Sequence, residues 1–303
     1  MDVKGVNEFI PRDLDPGIAE ILNFFSDVTC KFVDFGSNFF IWEEHATKTE
    51  ENIAPSMLLR HFLDLADSIS VLLRTSCADP AKLLLRGLLE THFSLEYLLD
   101  KDTDRRAMAF LVEDILAEIS VMEKMIQMRD SQPQAGASRR FRVRGKDLTL
   151  DEVLQERTAL LQSEKYIEVF NEFNKLKGKS KYYPHWYSCF NGPKTIRGIA
   201  EQAGKGDLYD NIYSVYSRST HGTDVVGGKL TSSPQNYADI IQIRRPTDAQ
   251  QVARFTLYLC TTTIQNYMGK RMPGQISRFR EWFPVIKDKV NLIMSEKQFI
   301  RAE

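Results

Sequence analysis

The chain has 303 residues, of which 43% are hydrophobic and 27% charged, a composition that supports a sizeable buried core. Its 40 basic and 41 acidic residues leave a net charge of −1, which argues against binding nucleic acid through bulk charge and leaves only a local basic patch. The apolar runs are shorter than the ~20 residues of a membrane-spanning helix. The N-terminal segment also lacks the basic start and apolar core of a secretion signal. We therefore expect a cytoplasmic protein with no membrane partner and with reduced cysteines.

Helical periodicity dominates the first half of the sequence. Apolar residues recur at three- and four-residue steps over 18–44 and again over about 54–75. Asp79 and Pro80 then predict a new helix, with Asp79 as its N-cap and an end near residue 99.

The same periodicity continues to the end of the chain. A capping-box pattern starts at Thr149, where Glu152 follows three positions later. The predicted helices after residue 100 span about 105–129, 149–177, 194–203, 208–221, 248–270 and 275–296, with one short strand near 238–245.

These elements predict an all-α protein, a multi-helix bundle with an irregular basic insertion near residues 131–148. The simplest organisation is one helical domain over 1–303. A boundary near residue 135 is the alternative and would give an N-terminal part, 1–135, and a C-terminal part, 136–303. Walker, Rossmann, Gly-x-Ser-x-Gly and His-Glu-x-x-His spacings are absent from the sequence, so we expect neither a cofactor nor a metal site.

A polar, aromatic stripe lies on the predicted helix that begins near Tyr209. On a wheel of 100° per residue one arc collects Tyr209, Tyr213, Tyr216, Ser217, Thr220, His221 and Asp224. Arg218 falls just outside that arc, beside His221. The stripe is either a solvated helix face or one wall of a site.

A second narrow stripe lies opposite the leucine-rich face of the helix predicted to start near Asp79. It contains Arg86, Glu90, Ser94 and Tyr97, with Gly87 beside it. On a surface, an Arg–Glu pair in this order contributes only a few tenths of a kcal/mol. Alternatively, Arg86 and Glu90 face the inside of the bundle and fix each other, and Gly87 lets another helix approach closely.

In combination, these motifs resemble an uncharacterised all-helical bacterial family, known only as a domain of unknown function. The resemblance covers roughly residues 60–225 and rests on Arg86, Glu90, Arg106, Ala107, Trp186, Tyr213, Ser217, His221 and Gly222. It implies a shared pocket formed by Arg86, Glu90, Tyr213 and His221. It implies no particular reaction, because no activity is established for the family.

The segment RSTH is more loosely similar to the HEPN superfamily, helical bundles that include many ribonucleases of toxin and antiphage systems. Those enzymes use an arginine and, about one helical turn later, a histidine. Here Arg218 and His221 are three positions apart, a shorter spacing. The resemblance implies that His221 is a general acid–base, that the arginine steadies a phosphate, and that a homodimer completes the site.

Two segments combine basic and aromatic residues. The first contains Arg139, Arg140, Arg142, Arg144 and Lys146 around Phe141. It either follows a phosphate backbone, with Phe141 stacking on a base, or is a solvated loop. The second segment, 177–187, includes Trp186 and is either a nucleobase platform or an aromatic loop that packs over the edge of the core.

Our first functional hypothesis is a metal-independent ribonuclease-like effector of toxin or phage-defence systems, with RNA as substrate. Its site residues are Arg86, Glu90, Tyr213, Ser217, Arg218 and His221. The alternatives are a non-catalytic sensor that binds a small anion or nucleotide, and a helical interaction scaffold in which the polar stripe fixes helix packing.

Overall fold

A computed structural model of the chain describes residues 10–43, 49–131, 141–143, 146–213, 216, 230–231 and 239–300. The helices before residue 132 are α1 Pro16–Ser37, α2 Phe39–Trp42, α3 Glu50–Arg74, α4 Ala78–Asp100 and α5 Thr103–Ser131. Those after it are α6 Leu150–Leu161, α7 Ile167–Lys177, α8 Ile196–Gln202, the single turn α9 Gly206–Leu208, α10 Ala249–Arg271 and α11 Ile276–Met294. The strands in these ranges form two small antiparallel pairs, β1 Phe141–Val143 with β2 Lys146–Leu148, and β3 Leu230–Thr231 with β4 Asp239–Ile240. The predicted all-α class is confirmed.

The residues around positions 15 and 38 explain where helix α1 begins and ends. The Asp15 carboxylate accepts hydrogen bonds from the backbone amides of Gly17 and Ile18, at 2.9 and 3.2 Å, and Pro16 occupies the first turn. The predicted helix over 18–44 is nevertheless two helices. Asn38 ends α1 by donating its side-chain amide back to the Asp34 carbonyl at 2.8 Å, and α2 begins at the next residue.

The predicted N-cap role of Asp79 is wrong. Helix α4 begins at Ala78, so Asp79 lies inside its first turn. The cause is a tight turn before the helix, in which Ser76 adopts a left-handed φ of 59°. The Asp79 carboxylate accepts instead from the Lys82 ammonium at 2.7 Å.

The capping box that opens α6 is confirmed. The Thr149 hydroxyl accepts from the Glu152 amide, and the Glu152 carboxylate accepts from the Thr149 amide at 2.7 Å. The predicted helix over 149–177 is two helices, α6 and α7. They separate at Ser163, whose hydroxyl donates to the Leu160 carbonyl at 2.7 Å and competes with the helical backbone pattern.

Backbone contacts group the chain into two compact units. Unit 1 comprises Met1–Ala46, Ser56–Leu99 and Ala200–Glu303, and unit 2 comprises Thr47–Pro55 and Asp100–Ile199. In unit 1, α1 packs against α10 and α11. In unit 2, α5 packs against α6, α7 and the irregular segment Trp186–Asn191. A single domain over 1–303, and the alternative boundary near residue 135, stay predictions.

An aromatic cluster forms part of the core of unit 1. Phe35 stacks on Trp282 with ring centroids 4.2 Å apart, and Phe39 stacks on Tyr267 at 5.8 Å. Both phenylalanines are almost completely buried. Because aromatic side chains bury large areas, this cluster ties α1 and α2 to the two C-terminal helices.

The close helix approach expected at Gly87 occurs at another glycine. A Cβ atom on Gly87 would meet the Leu65 side chain at 3.4 Å, an ordinary contact. A Cβ on Gly36 would lie 2.8 Å from Leu63 Cδ2, so the buried Leu63 side chain on α3 would have to shift to accept any other residue there. Of the helices in the described ranges, none has an apolar stretch long enough to cross a bilayer.

Candidate functional site

One face of α4 carries Lys82, Arg86 and Glu90 at four-residue steps. Side chains at this spacing lie above one another on a helix. Leu85, Leu88 and Leu89 are fully buried. The three ionic side chains are instead between 16% and 37% exposed, so they border a partly solvated space.

Arg86, Glu90 and Tyr213 form a closed hydrogen-bonded triad. Arg86 Nε donates to Glu90 Oε1 at 3.2 Å, and Arg86 Nη2 donates to the Tyr213 hydroxyl at 3.0 Å. The Tyr213 hydroxyl in turn donates to Glu90 Oε1 at 2.6 Å. The guanidinium also lies 5.1 Å from the centre of the Tyr213 ring. The triad therefore holds the guanidinium in a defined position.

Tyr213 is placed by a turn of π-helix over Tyr209–Tyr213. Such turns are rare and are found frequently at functional sites. Tyr209 and Tyr213 stack with ring centroids 4.6 Å apart, and Tyr209 in turn lies 6.5 Å from the ring of Phe93 on α4. Tyr213 is only 7% exposed, so burial and the stack on Tyr209 hold its hydroxyl towards α4.

The electrostatics of the triad keep the phenol protonated and the guanidinium charged. Burial, reinforced by the hydrogen bond to Glu90, raises the pKa of Tyr213 to about 12. Burial alone would lower the pKa of Arg86, but the hydrogen bond to Tyr213 and the charge of Glu90 outweigh it and raise that pKa. At neutral pH, Tyr213 is thus a hydrogen-bond donor and not a general base.

Lys82 extends the site by one turn, and the sequence analysis missed it. Its ammonium bonds Asp79 at 2.7 Å and Asp248 at 2.6 Å. Burial lowers the pKa of Lys82, but these two carboxylates outweigh it and raise the pKa overall. The four-residue spacing between Lys82 and Arg86 could have predicted that Lys82 lies on the same helix face. Its partner Asp248 could not be predicted in this way, because it lies 166 positions from Lys82 in the chain. The charges of Lys82 and Asp248 also act on Tyr216, whose pKa is raised overall, mainly by burial.

The structure brings together three of the predicted catalytic residues, namely Arg86, Glu90 and Tyr213. The other three, Ser217, Arg218 and His221, lie outside the described residues. Their roles stay predictions.

The predicted nucleic-acid contacts are only partly described. Arg139, Arg140 and Arg144 fall outside the described ranges, and Arg142 lies in β1 opposite Asp147. Lys146 lies in β2 and is exposed. Trp186 is 6% exposed and packs edge-on against Phe110 at 5.8 Å, so its indole is part of the packing of unit 2.

A second carboxylate network, centred on Glu43, went unnoticed in the sequence. Glu43 accepts from Arg271 at 3.2 Å, from the Tyr267 hydroxyl at 2.9 Å and from Ser56 at 3.2 Å. The Glu43 and Arg271 side chains are only 11% and 14% exposed. No local pattern signals this network, because Glu43 and Arg271 are 228 positions apart.

Within the described ranges no three His, Cys, Asp or Glu side chains cluster as metal ligands would. The fold and the triad define an all-α protein with a fixed Arg–Glu–Tyr site. The chain belongs to the Family of unknown function (DUF5677), whose model matches residues 52–233. The expected membership of an uncharacterised family is thereby confirmed, and the match spans every residue of the predicted pocket. No curated protein and no solved structure matches the chain significantly.

Proposed function

We propose that this protein is a metal-independent ribonuclease-like effector of the kind used in toxin and phage-defence systems. The observation that supports the proposal best is the fixed, partly exposed guanidinium of Arg86, held by Glu90 and Tyr213. A preorganised cation beside hydroxyl donors is what stabilises the charge that develops on a phosphate during transfer. The loose similarity of RSTH to the HEPN motif supports the same chemistry.

Proton transfer in this proposal belongs to His221. Tyr213 cannot serve as a general base at neutral pH because its pKa is about 12. Histidine is the side chain whose ordinary pKa, about 6.5, suits both the removal and the return of a proton near pH 7. Ser217 and Arg218 contact the phosphate or ribose, while Glu90 and Tyr213 act as positioning residues for Arg86.

The reaction is an internal transesterification of RNA. His221 accepts the proton of a ribose 2′-hydroxyl, and the 2′-oxygen attacks the adjacent phosphorus. The bond from phosphorus to the 5′-oxygen breaks, and the protonated His221 returns its proton to the leaving oxygen. The products are a 2′,3′-cyclic phosphate and a 5′-hydroxyl, and the step consumes neither metal nor cofactor.

The test is cleavage of a fluorescently labelled RNA by the purified chain in EDTA, with analysis of the product ends. We expect His221→Ala to abolish cleavage and Arg86→Ala to lower its rate by 100-fold or more, in line with the loss of a charge-stabilising donor. The matched controls are His61→Ala and Arg60→Ala. Both residues are exposed on α3, where Arg60 pairs with Asp64 at the same i,i+4 spacing, 3.4 Å apart.

Two results would overturn the nuclease proposal. One is intact RNA with the wild-type chain at high protein concentration. The other is cleavage that persists in His221→Ala, which identifies a contaminating nuclease. The proposal also expects a homodimer, so light scattering is to give twice the chain mass of 34.9 kDa.

The lack of a proton-exchanging group among the described residues of the site favours a second candidate, a sensor that binds a small anion or nucleotide without turnover. Lys82 and Arg86 are neutralised by Asp79, Asp248 and Glu90, and Tyr213 stays protonated. Such a site offers hydrogen bonds but no proton exchange of its own. Stabilisation of the His221→Ala variant by inorganic phosphate, lost in Arg86→Ala, would support the sensor.

A further inference from the structure

A cavity of about 400 Å³ lies within unit 2. All its lining residues lie between positions 113 and 184, and none of them belongs to the Arg86 triad. Its apolar lining includes Leu116 on α5, Leu161 on α6 and Phe170 on α7. Leu161 is 1% exposed and Leu116 is 6% exposed, so this lining is continuous with the core of the unit. The volume falls in the range of small-molecule sites.

One wall of the cavity is basic and aromatic. Lys177 Nζ lies 4.0 Å from the centre of the Tyr183 ring, and Lys181 Nζ lies 5.4 Å from the centre of the Tyr182 ring. The Tyr183 hydroxyl donates to Asn174 at 3.1 Å, which fixes the ring beneath Lys177. Among the described residues neither lysine has a carboxylate partner. These two ammonium groups are therefore available to an anion.

Tyr182 presents an aromatic surface to solvent at the same wall. It is 68% exposed, whereas Tyr187 and Trp186, a few positions later, are buried. Packing of the protein core therefore does not account for Tyr182. An exposed tyrosine beside two lysines is the combination that stacks a nucleobase and holds its phosphate.

Another part of the lining is acidic and comes from α5. Glu113 is fully engaged, because its two oxygens accept from His185 Nδ1 and from the Trp186 amide, each at 2.9 Å. It fastens the end of the aromatic segment to α5. Glu123 lies further along the same cavity wall, is exposed and has no ion-pair partner in the described ranges. A carboxylate in such a place accepts hydrogen bonds from ribose hydroxyls, as in dinucleotide-binding folds.

We infer that this cavity binds a ribonucleotide, with the phosphate at Lys177 and Lys181, the base on Tyr182 and the ribose hydroxyls at Glu123. A lining that contains both unpaired ammonium groups and an unpaired carboxylate matches a ligand that is anionic at one end and a hydrogen-bond donor at the other. The inference does not depend on the proposed nuclease activity, since none of these residues belongs to the Arg86 site. Free nucleotides and RNA ends share this chemistry.

The experiment is titration calorimetry on the full chain carrying His221→Ala, so that no RNA is consumed. We expect saturable binding of AMP, and at least tenfold weaker binding of adenosine, which lacks the phosphate, and of ribose 5-phosphate, which lacks the base. The double variant Lys177→Ala with Lys181→Ala, and separately Tyr182→Ala, each weaken AMP binding by about tenfold or more. Lys179→Ala, an exposed lysine of the same segment outside the cavity lining, leaves it unchanged.

Comparison of ligands and variants separates the outcomes. Tighter binding of a short oligoadenylate than of AMP identifies an RNA end as the ligand, and the reverse identifies a free nucleotide. Absence of saturable AMP and oligoadenylate binding overturns the inference. So does equal binding by the Lys177/Lys181 variant and the Lys179 control, or loss of binding in Arg86→Ala alone, which would assign the ligand to the triad.

Discussion

Acidification is expected to destabilise unit 1 through His92, a histidine on α4 that is fully buried. Its Nδ1 lies 2.8 Å from the Thr263 hydroxyl on α10. Its Nε2 has no hydrogen-bond partner in the described structure. Burial, followed by the positive charge of Lys205, lowers the pKa of His92 from 6.5 to about 3. The folded state therefore holds this imidazole neutral.

The sign and size of the effect follow from proton linkage. A base whose folded pKa is depressed contributes its full stability above the unfolded pKa of 6.5 and loses it as the pH falls towards 3. Between pH 8 and pH 5 the expected loss in the free energy of unfolding is about 2 kcal/mol, and more than half of this loss falls between pH 6 and pH 5. The whole effect, about 5 kcal/mol, is reached only below pH 3. A loss of 2 kcal/mol is a large fraction of the stability of an ordinary domain.

The assay is urea unfolding followed by circular dichroism at pH 8, 7, 6 and 5. The wild-type chain is compared with His92→Gln, which keeps a polar side chain but does not titrate, and with His61→Gln, which removes an exposed histidine. We expect the wild type and His61→Gln to lose about 2 kcal/mol more than His92→Gln over this range. Parallel pH profiles for all three proteins would refute the reasoning.

Three further predictions test the packing of unit 1 by urea unfolding. We expect Gly36→Ala to lower the free energy of unfolding by about 1–3 kcal/mol, because the added methyl group would press on Leu63. We expect Gly87→Ala to raise it by up to about 1 kcal/mol, because alanine favours the helix more than glycine does. Equal effects of the two substitutions would contradict this geometry. Tyr213→Phe removes the hydrogen bond to the Glu90 carboxylate, so we expect the free energy of unfolding to fall by about 1.5 kcal/mol. An unchanged midpoint of urea unfolding would count against the triad. Glu43→Ala leaves the largely buried guanidinium of Arg271 without its carboxylate, so we expect the free energy of unfolding to fall by about 3 kcal/mol. A loss below about 1 kcal/mol would show that the Glu43 network contributes little to stability.

The fold class and most helices are predictable from the sequence because they depend on local periodicity and capping. The Thr149–Glu152 box is an example, since all its atoms come from four consecutive residues. Breaks within helices are less predictable. The ends at Asn38 and Ser163 come from single side chains that compete with the backbone without interrupting the apolar pattern.

The candidate site combines residues whose proximity is set by one helix with residues that only tertiary packing brings together. The sequence places Arg86 and Glu90 one turn apart, and it places Tyr213 on a polar stripe. Only the folded chain decides that these stripes meet, because Tyr213 and Arg86 are 127 positions apart. Tyr209 and Tyr213 stack in a π-helical turn, and the Tyr213 hydroxyl lies 2.6 Å from the Glu90 carboxylate. A wheel of 100° per residue does not predict this geometry, because it assumes a regular α-helix.

The helical class, the family and one side of the polar site follow from the sequence, because they depend on short-range patterns of residue type. Which charges pair across long chain separations depends on the tertiary structure. Lys82 meets Asp248, and Glu43 meets Arg271, across chain separations at which pairing depends on how helices pack. Lys177 and Lys181 have no carboxylate partners among the described residues and lie over tyrosine rings instead.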